Sequence, residues 1–267
     1  MNFAARLDEA IASSGSLLCV GLDPDIADLP DAAAAERWCA ATLEATLEFA
    51  CAVKPNVAFF EQYGAAGWAV LERLRALVPA NRLLIVDAKC SDVGHTAQAY
   101  ARALFDGLGA DAVTVNPLLG EDSVRPFLDR FGRGALLLTR TSNSGAADLL
   151  EQPLGDGTPL FEHIAALAMQ WDPGGSAGLV VGATAPDAVA AVRRRAPLLP
   201  MLLPGVGAQG GALEEATAAG LDARGAGLMV SISRAIALAP EGPAAAARAF
   251  RRRLDAIRVA TLQTPAS

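Results

Sequence analysis

The densest group of chemically able side chains in the sequence is Asp87-Ala88-Lys89-Cys90-Ser91-Asp92. Residues two apart on an extended strand share a face, so Asp87 and Lys89 are expected to project together, with Asp92 in the loop that follows. Lys54, one apolar run earlier, can join them. A pocket alternating ammonium and carboxylate keeps each Lys protonated and repels any further anion placed between the carboxylates. That suits a reaction in which an anion must leave and a proton must then be delivered. A structural ion-pair network would use the same residue types, but the convergence of these groups on one end of a barrel favours chemistry.

The lysines are conspicuous for a second reason. Of 22 cationic side chains, only Lys54 and Lys89 are Lys, and the remainder are Arg. Arg does not release its proton in a protein, whereas Lys does when its surroundings tune it. A chain that otherwise takes its positive charge from Arg keeps Lys at two places only.

A second constellation lies near the C-terminal end. The stretch 204–211 (PGVGAQGG) precedes 231–234 (SISR). Gly lets a backbone approach anionic oxygens closely, Gln209 can donate from the loop, and Arg234 can clamp a phosphate with two bonds. A tight loop alone would also explain the glycines. Thr141-Ser142-Asn143 offers groups that could read a base edge, or that could cap a helix. His95 and His163 receive no role. The four Cys are expected to be buried small hydrophobes, with Cys90 alone beside the proposed site.

The elements that must position these groups repeat along the chain. Short apolar runs occupy 17–23, 51–56, 83–89, 112–117, 135–140, 178–183, 201–206 and 227–233. Each is apolar on both faces, as a buried parallel sheet requires. Helical patterns lie between them, for example at 58–77, 96–108 and 244–259. Eight strand-then-helix units in this length predict an α/β fold, a single-domain TIM (β/α)8 barrel spanning 1–260, with a flexible tail at 261–267. Functional groups of such barrels cluster at the C-terminal strand ends, where Lys54, Asp87 with Lys89, Thr141-Ser142-Asn143, the glycine-rich turn and Arg234 fall, and the loops after the last two strands often build a phosphate site. The Arg triplets at 193–195 and 251–253 read as solvated helix faces.

Composition narrows the function classes. The 267 residues are 52% hydrophobic and 19% charged, with a net charge of -7, which predicts a globular chain and disfavours a nucleic-acid or anionic-membrane partner. No uninterrupted apolar stretch is long enough to span a bilayer. The Cys and His spacings match no metal-ligand pattern, so no metal is expected, and the free Cys with no signal-peptide pattern predict a cytoplasmic protein.

These blocks, in this order, resemble the orotidine 5′-phosphate decarboxylases. The likeness rests on Gly21-Leu22-Asp23-Pro24, 53–64 (VKPNVAFFEQYG), 87–100 (DAKCSDVGHTAQAY), 113–120 (VTVNPLLG), Thr141-Ser142-Asn143, 178–184 (GLVVGAT), 204–211 and Ser233-Arg234-Ala235-Ile236. The resemblance implies cofactor-free conversion of orotidine 5′-phosphate to uridine 5′-phosphate and carbon dioxide, a step of pyrimidine biosynthesis. It implies that Lys54, Asp87, Lys89 and Asp92 form the charged catalytic array, with Lys89 as proton donor. It further implies that Asp23 contacts ribose, Ser142 reads the pyrimidine, and Gln209 with Arg234 grips phosphate. The implied assembly is a homodimer in which Asp92 and Thr96 serve the neighbouring subunit's site. The chain departs from the family in carrying Cys90-Ser91 where Arg-Gly is usual; losing that Gly removes easy access to a left-handed backbone conformation. Two other readings stay open: an aldolase-like or specificity-shifted barrel enzyme on another phosphorylated sugar or nucleotide, and a catalytically weak nucleotide-binding protein.

Overall fold

The computed structural model describes residues 1–172, 174–206 and 212–263. The eight apolar runs form eight strands: β1 (Leu18–Leu22), β2 (Ala52–Pro55), β3 (Leu83–Cys90), β4 (Ala112–Val115), β5 (Gly134–Arg140), β6 (Ala177–Val181), β7 (Met201–Leu203) and β8 (Leu228–Ile232). Each pairs in parallel with the next, and β8 returns to β1 through Leu18↔Val230 and Val20↔Ile232, which closes the barrel. The expected (β/α)8 architecture is what forms. Its strands are apolar on both faces because one face fills the barrel interior and the other meets the surrounding helices. β3 alone departs clearly from this pattern: Leu83–Val86 is buried, and Asp87 to Cys90 emerges toward the barrel mouth.

The opposite end of the barrel is sealed. Asn2 caps the helix Phe3–Ser14, its side chain accepting from the Ala5 amide at 3.0 Å. Phe3 is fully buried against Gly134, where a Cβ would lie 2.7 Å from the ring. Burying such a ring contributes about 1.5–3 kcal/mol. Arg6 reaches the buried carboxylate of Asp111 at 2.6 Å, and the other oxygen of Asp111 accepts from the Leu84 amide at 2.8 Å. The entries to β3, β4 and β5 are thereby tied together, and the loops at the far end are left to carry the site.

The helices differ from the sequence pattern in three places. The 58–77 pattern breaks into Ala58–Glu61 and Ala65–Leu77, because Gly64 takes φ 62° and turns the chain. The segment 96–108 starts two residues earlier, as the helix Gly94–Ala101, and then widens into a π-helix at Arg102–Gly107. The last helix runs over Pro243–Gln263, so the tail expected from residue 261 is helical through Gln263, and 264–267 lies outside the described residues.

Candidate active site

A cavity of about 430 Å³ opens at the C-terminal end of the barrel, and every strand or the loop after it contributes to the wall. At its floor β3 puts Asp87 between the two lysines. Lys54 Nζ donates to Asp87 Oδ2 at 3.0 Å and Lys89 Nζ donates to Asp87 Oδ1 at 2.7 Å. The two ammonium groups differ in setting: the Lys54 side chain is 7% exposed and that of Lys89 48%.

Burial alone would raise the pKa of Asp87, but the Lys54 and Lys89 ammoniums outweigh it and hold the carboxyl well below the usual carboxylate range. Burial would likewise strip the proton from Lys54; the charges of Asp87 and then Asp23, with the hydrogen bond to Asp87, raise its pKa instead. Asp87 and Lys54 therefore stay ionised over the whole physiological range, and the half-exposed side chain of Lys89 faces the open space.

The backbone that presents Lys89 is irregular. Val86 pairs with Val113 and Cys90 with Val115, so four steps along β3 match two along β4. Lys89 sits in this bulge with φ 49°, the one positive φ of a non-glycine among the described residues. Simple strand alternation, the basis for expecting Asp87 and Lys89 on one face, is broken here. The two side chains meet nonetheless, because the bulge turns Lys89 back toward Asp87. Ser91 has no positive φ, so the conformational loss expected from replacing Gly there does not arise. Its hydroxyl is buried and without a partner.

Asp23 follows β1 on the cavity wall. Its Oδ2 accepts from Ser233 Oγ at 2.6 Å, whereas Oδ1 is buried with no partner. Gly21 makes room for this pairing: a Cβ there would lie 2.6 Å from Ser233 Cβ. After β5, Thr141 donates to Asn143 Oδ1 at 2.7 Å, and Ser142 and Asn143 line the cavity. Helix capping does not account for this trio, since the short helix Ala146–Leu149 follows Gly145 without a side-chain cap. Arg140 braces the loop by donating to the Thr141 carbonyl at 2.9 Å and to Thr184 Oγ1 at 3.2 Å. Arg234 reaches the opposite wall and forms no ion pair among the described residues.

Of the nine residues singled out from the sequence, Asp23, Lys54, Asp87, Lys89, Ser142 and Arg234 line this cavity. Asp92 and Thr96 are not among the described lining residues. Asp92 accepts from the Val93 amide at 2.7 Å, and Thr96 lies in the first turn of its helix. Gln209 lies outside the described residues, together with most of the Gly-rich turn. Sequence reasoning missed Thr114 and Ser233 as partners of the two aspartates. The only signal for Thr114 was one hydroxyl in the otherwise aliphatic strand AVTV.

Cys19 and Cys90 behave as the apolar residues expected: burial pushes their thiols up to about 12 and about 11. No three His, Cys, Asp or Glu side chains are grouped to hold a metal ion among the described residues, and no described helix is long and apolar enough to cross a membrane.

The model of the orotidine 5′-phosphate decarboxylase / HUMPS family matches residues 16–250. The chain is 50% identical to the orotidine 5′-phosphate decarboxylase of Roseiflexus castenholzii, with 97% of this chain and 98% of that protein covered. Against the Thermomicrobium roseum enzyme of the same name the identity is 46%, with 97% and 96% covered. The solved structure of Leishmania donovani OMP decarboxylase superposes with a TM-score of 0.90 at 43% identity, covering 97% of this chain and 99% of that one. These likenesses run along the whole barrel and include the strands that carry the Lys-Asp-Lys cluster. The chain belongs to the orotidine 5′-phosphate decarboxylase / HUMPS family.

Proposed function

We propose that this protein decarboxylates orotidine 5′-phosphate to uridine 5′-phosphate and carbon dioxide, with Lys89 as the proton donor. The observation that carries the reading is the Lys54–Asp87–Lys89 array on the floor of a nucleotide-sized cavity. In the reaction the bond between the pyrimidine ring and its carboxylate breaks. Carbon dioxide leaves, and the electron pair stays on the ring carbon. The Lys89 ammonium stabilises that carbanion and transfers its proton to it; the resulting amine regains a proton from water. Asp87 crowds the departing carboxylate while fixing Lys89, and Lys54 keeps Asp87 ionised.

The rest of the site serves binding. The unpartnered Asp23 Oδ1 is suited to a ribose hydroxyl, since a buried acceptor left unmet is costly. Ser142 reads the pyrimidine edge. Arg234, with Gln209, takes the phosphate, and remote phosphate binding supplies energy for the reacting centre. We assign Asp92 and Thr96 to the site of a second subunit in a homodimer, a reading favoured by their absence from the described lining of this chain's own cavity. The four free thiols fit a cytoplasmic protein.

The test follows the ultraviolet absorbance of orotidine 5′-phosphate with the wild type and with Lys89→Ala. Wild-type turnover that Lys89→Ala lowers by roughly 10²–10⁴-fold is expected. Substrate left unchanged by the wild type at high enzyme concentration overturns the proposal.

A further inference from the structure

We infer that Thr114 is a positioning residue for proton transfer, its hydroxyl joining the left-handed backbone of Lys89 to the carboxylate of Asp87. The inference rests on the decarboxylase reading for its catalytic consequence, but its structural content stands apart from that reading. Thr114 is 1% exposed on β4, at the point where the β3–β4 register slips. The slip takes the Lys89 amide out of the ladder, and Thr114 Oγ1 accepts from it at 2.9 Å. The same hydroxyl donates to Asp87 Oδ1 at 2.9 Å.

The direction of both bonds is forced. An ionised carboxylate only accepts, so the single hydroxyl proton goes to Asp87, and a lone pair remains for the Lys89 N–H. Asp87 Oδ1 thus takes the Lys89 ammonium and the Thr114 hydroxyl together, while Oδ2 takes Lys54. One small side chain ties both ends of Lys89 to one fixed point: the amide directly, the ammonium through Asp87. A non-glycine residue in the left-handed region persists only when its surroundings hold it there. Removing the hydroxyl frees the bulge and leaves the aim of the ammonium to Asp87 and Lys54 alone, although substrate still binds to Asp23, Ser142 and Arg234.

Thr114→Val keeps the shape and deletes both bonds, and Thr114→Ser keeps both bonds. For orotidine 5′-phosphate, Thr114→Val is expected to lower kcat at least about tenfold with KM within about threefold, and Thr114→Ser to recover kcat to within about threefold of wild type. Unchanged kcat in a folded Thr114→Val protein, or no recovery with Ser, overturns the inference while leaving the decarboxylase reading intact. A second measurement needs neither variant nor substrate. Lysine labelled with 15N gives only two lysine amides in this chain. The Lys89 amide, despite its exposed residue, is expected to exchange at least about a hundredfold slower than a free amide. Free exchange at Lys89 overturns the inference even if the wild type proves inactive or Thr114→Val fails to fold.

Discussion

Gly182 and Ser142 lie in direct backbone contact: a Cβ built on Gly182 would sit 2.5 Å from Ser142 Cα and 2.7 Å from its amide nitrogen. The end of β6 therefore serves as the seat on which the loop after β5 rests, and the absence of a side chain at 182 sets how far Ser142 stands into the cavity. Because the obstacle is backbone rather than a mobile side-chain tip, Gly182→Ala must move the loop. KM for orotidine 5′-phosphate is expected to rise about tenfold, with about 1–3 kcal/mol lost from urea unfolding through overpacking. Steady-state kinetics and a denaturation curve check both. A variant with wild-type KM would mean that Ser142 is positioned by something else.

The Asp87 charge carries a pH signature. Its folded pKa is depressed below the unfolded value, near 3.9 for a free aspartate. The unfolded chain therefore takes up this proton at higher pH than the folded chain does. The stabilisation is fully present above about pH 4 and is lost as pH falls from there through the folded value. Asp87→Asn leaves Lys54 buried beside a neutral partner, at a cost of about 3–5 kcal/mol at pH 7. Urea unfolding of the two proteins between pH 7 and pH 3 is expected to show a wide gap at neutrality that begins to narrow below pH 4. A gap that widens on acidification would have the opposite sign and would remove the assigned shift.

Arg234 forms no ion pair among the described residues, which leaves its guanidinium available to a ligand. Arg234→Ala is expected to weaken uridine 5′-phosphate by roughly 10–100-fold, the range of a charge-assisted contact. Binding of uridine, which lacks the phosphate, should stay as it was. Titration calorimetry with the two ligands separates the cases, and equal losses would take the phosphate assignment away from Arg234.

The sequence pattern reveals the barrel because its strands are buried on both sides, so each reads as a mainly apolar run whose ends fall within two residues of the observed strand, except that β7 stops at Leu203, three residues short of the run 201–206, because Pro204 and Gly205 end it. Helices are less legible where glycine or winding intervenes. The 58–77 pattern has continuous helical periodicity, yet Gly64 divides it. In the site, Lys54, Asp87 and Lys89 stand out by residue type alone. What holds them does not, because it depends on register: the slip between Val86 and Cys90 and the hydroxyl of Thr114 involve residues that local propensity reads as ordinary strand. The seat that Gly182 gives Ser142 joins positions 40 apart, and only the closed barrel brings them together.

The unequal exposure of the two lysines has a practical meaning. Lys54 is sealed beneath Asp87 and Lys89 stands half in the open, so the chain offers reagents one accessible lysine side-chain amine. Apart from the exposed α-amine of Met1, acylating labels, amine-coupled resins and cyanate formed in old urea meet one accessible amine, and it lies on the floor of this cavity. For this barrel, tagging at lysine and occupying the cavity are a single event.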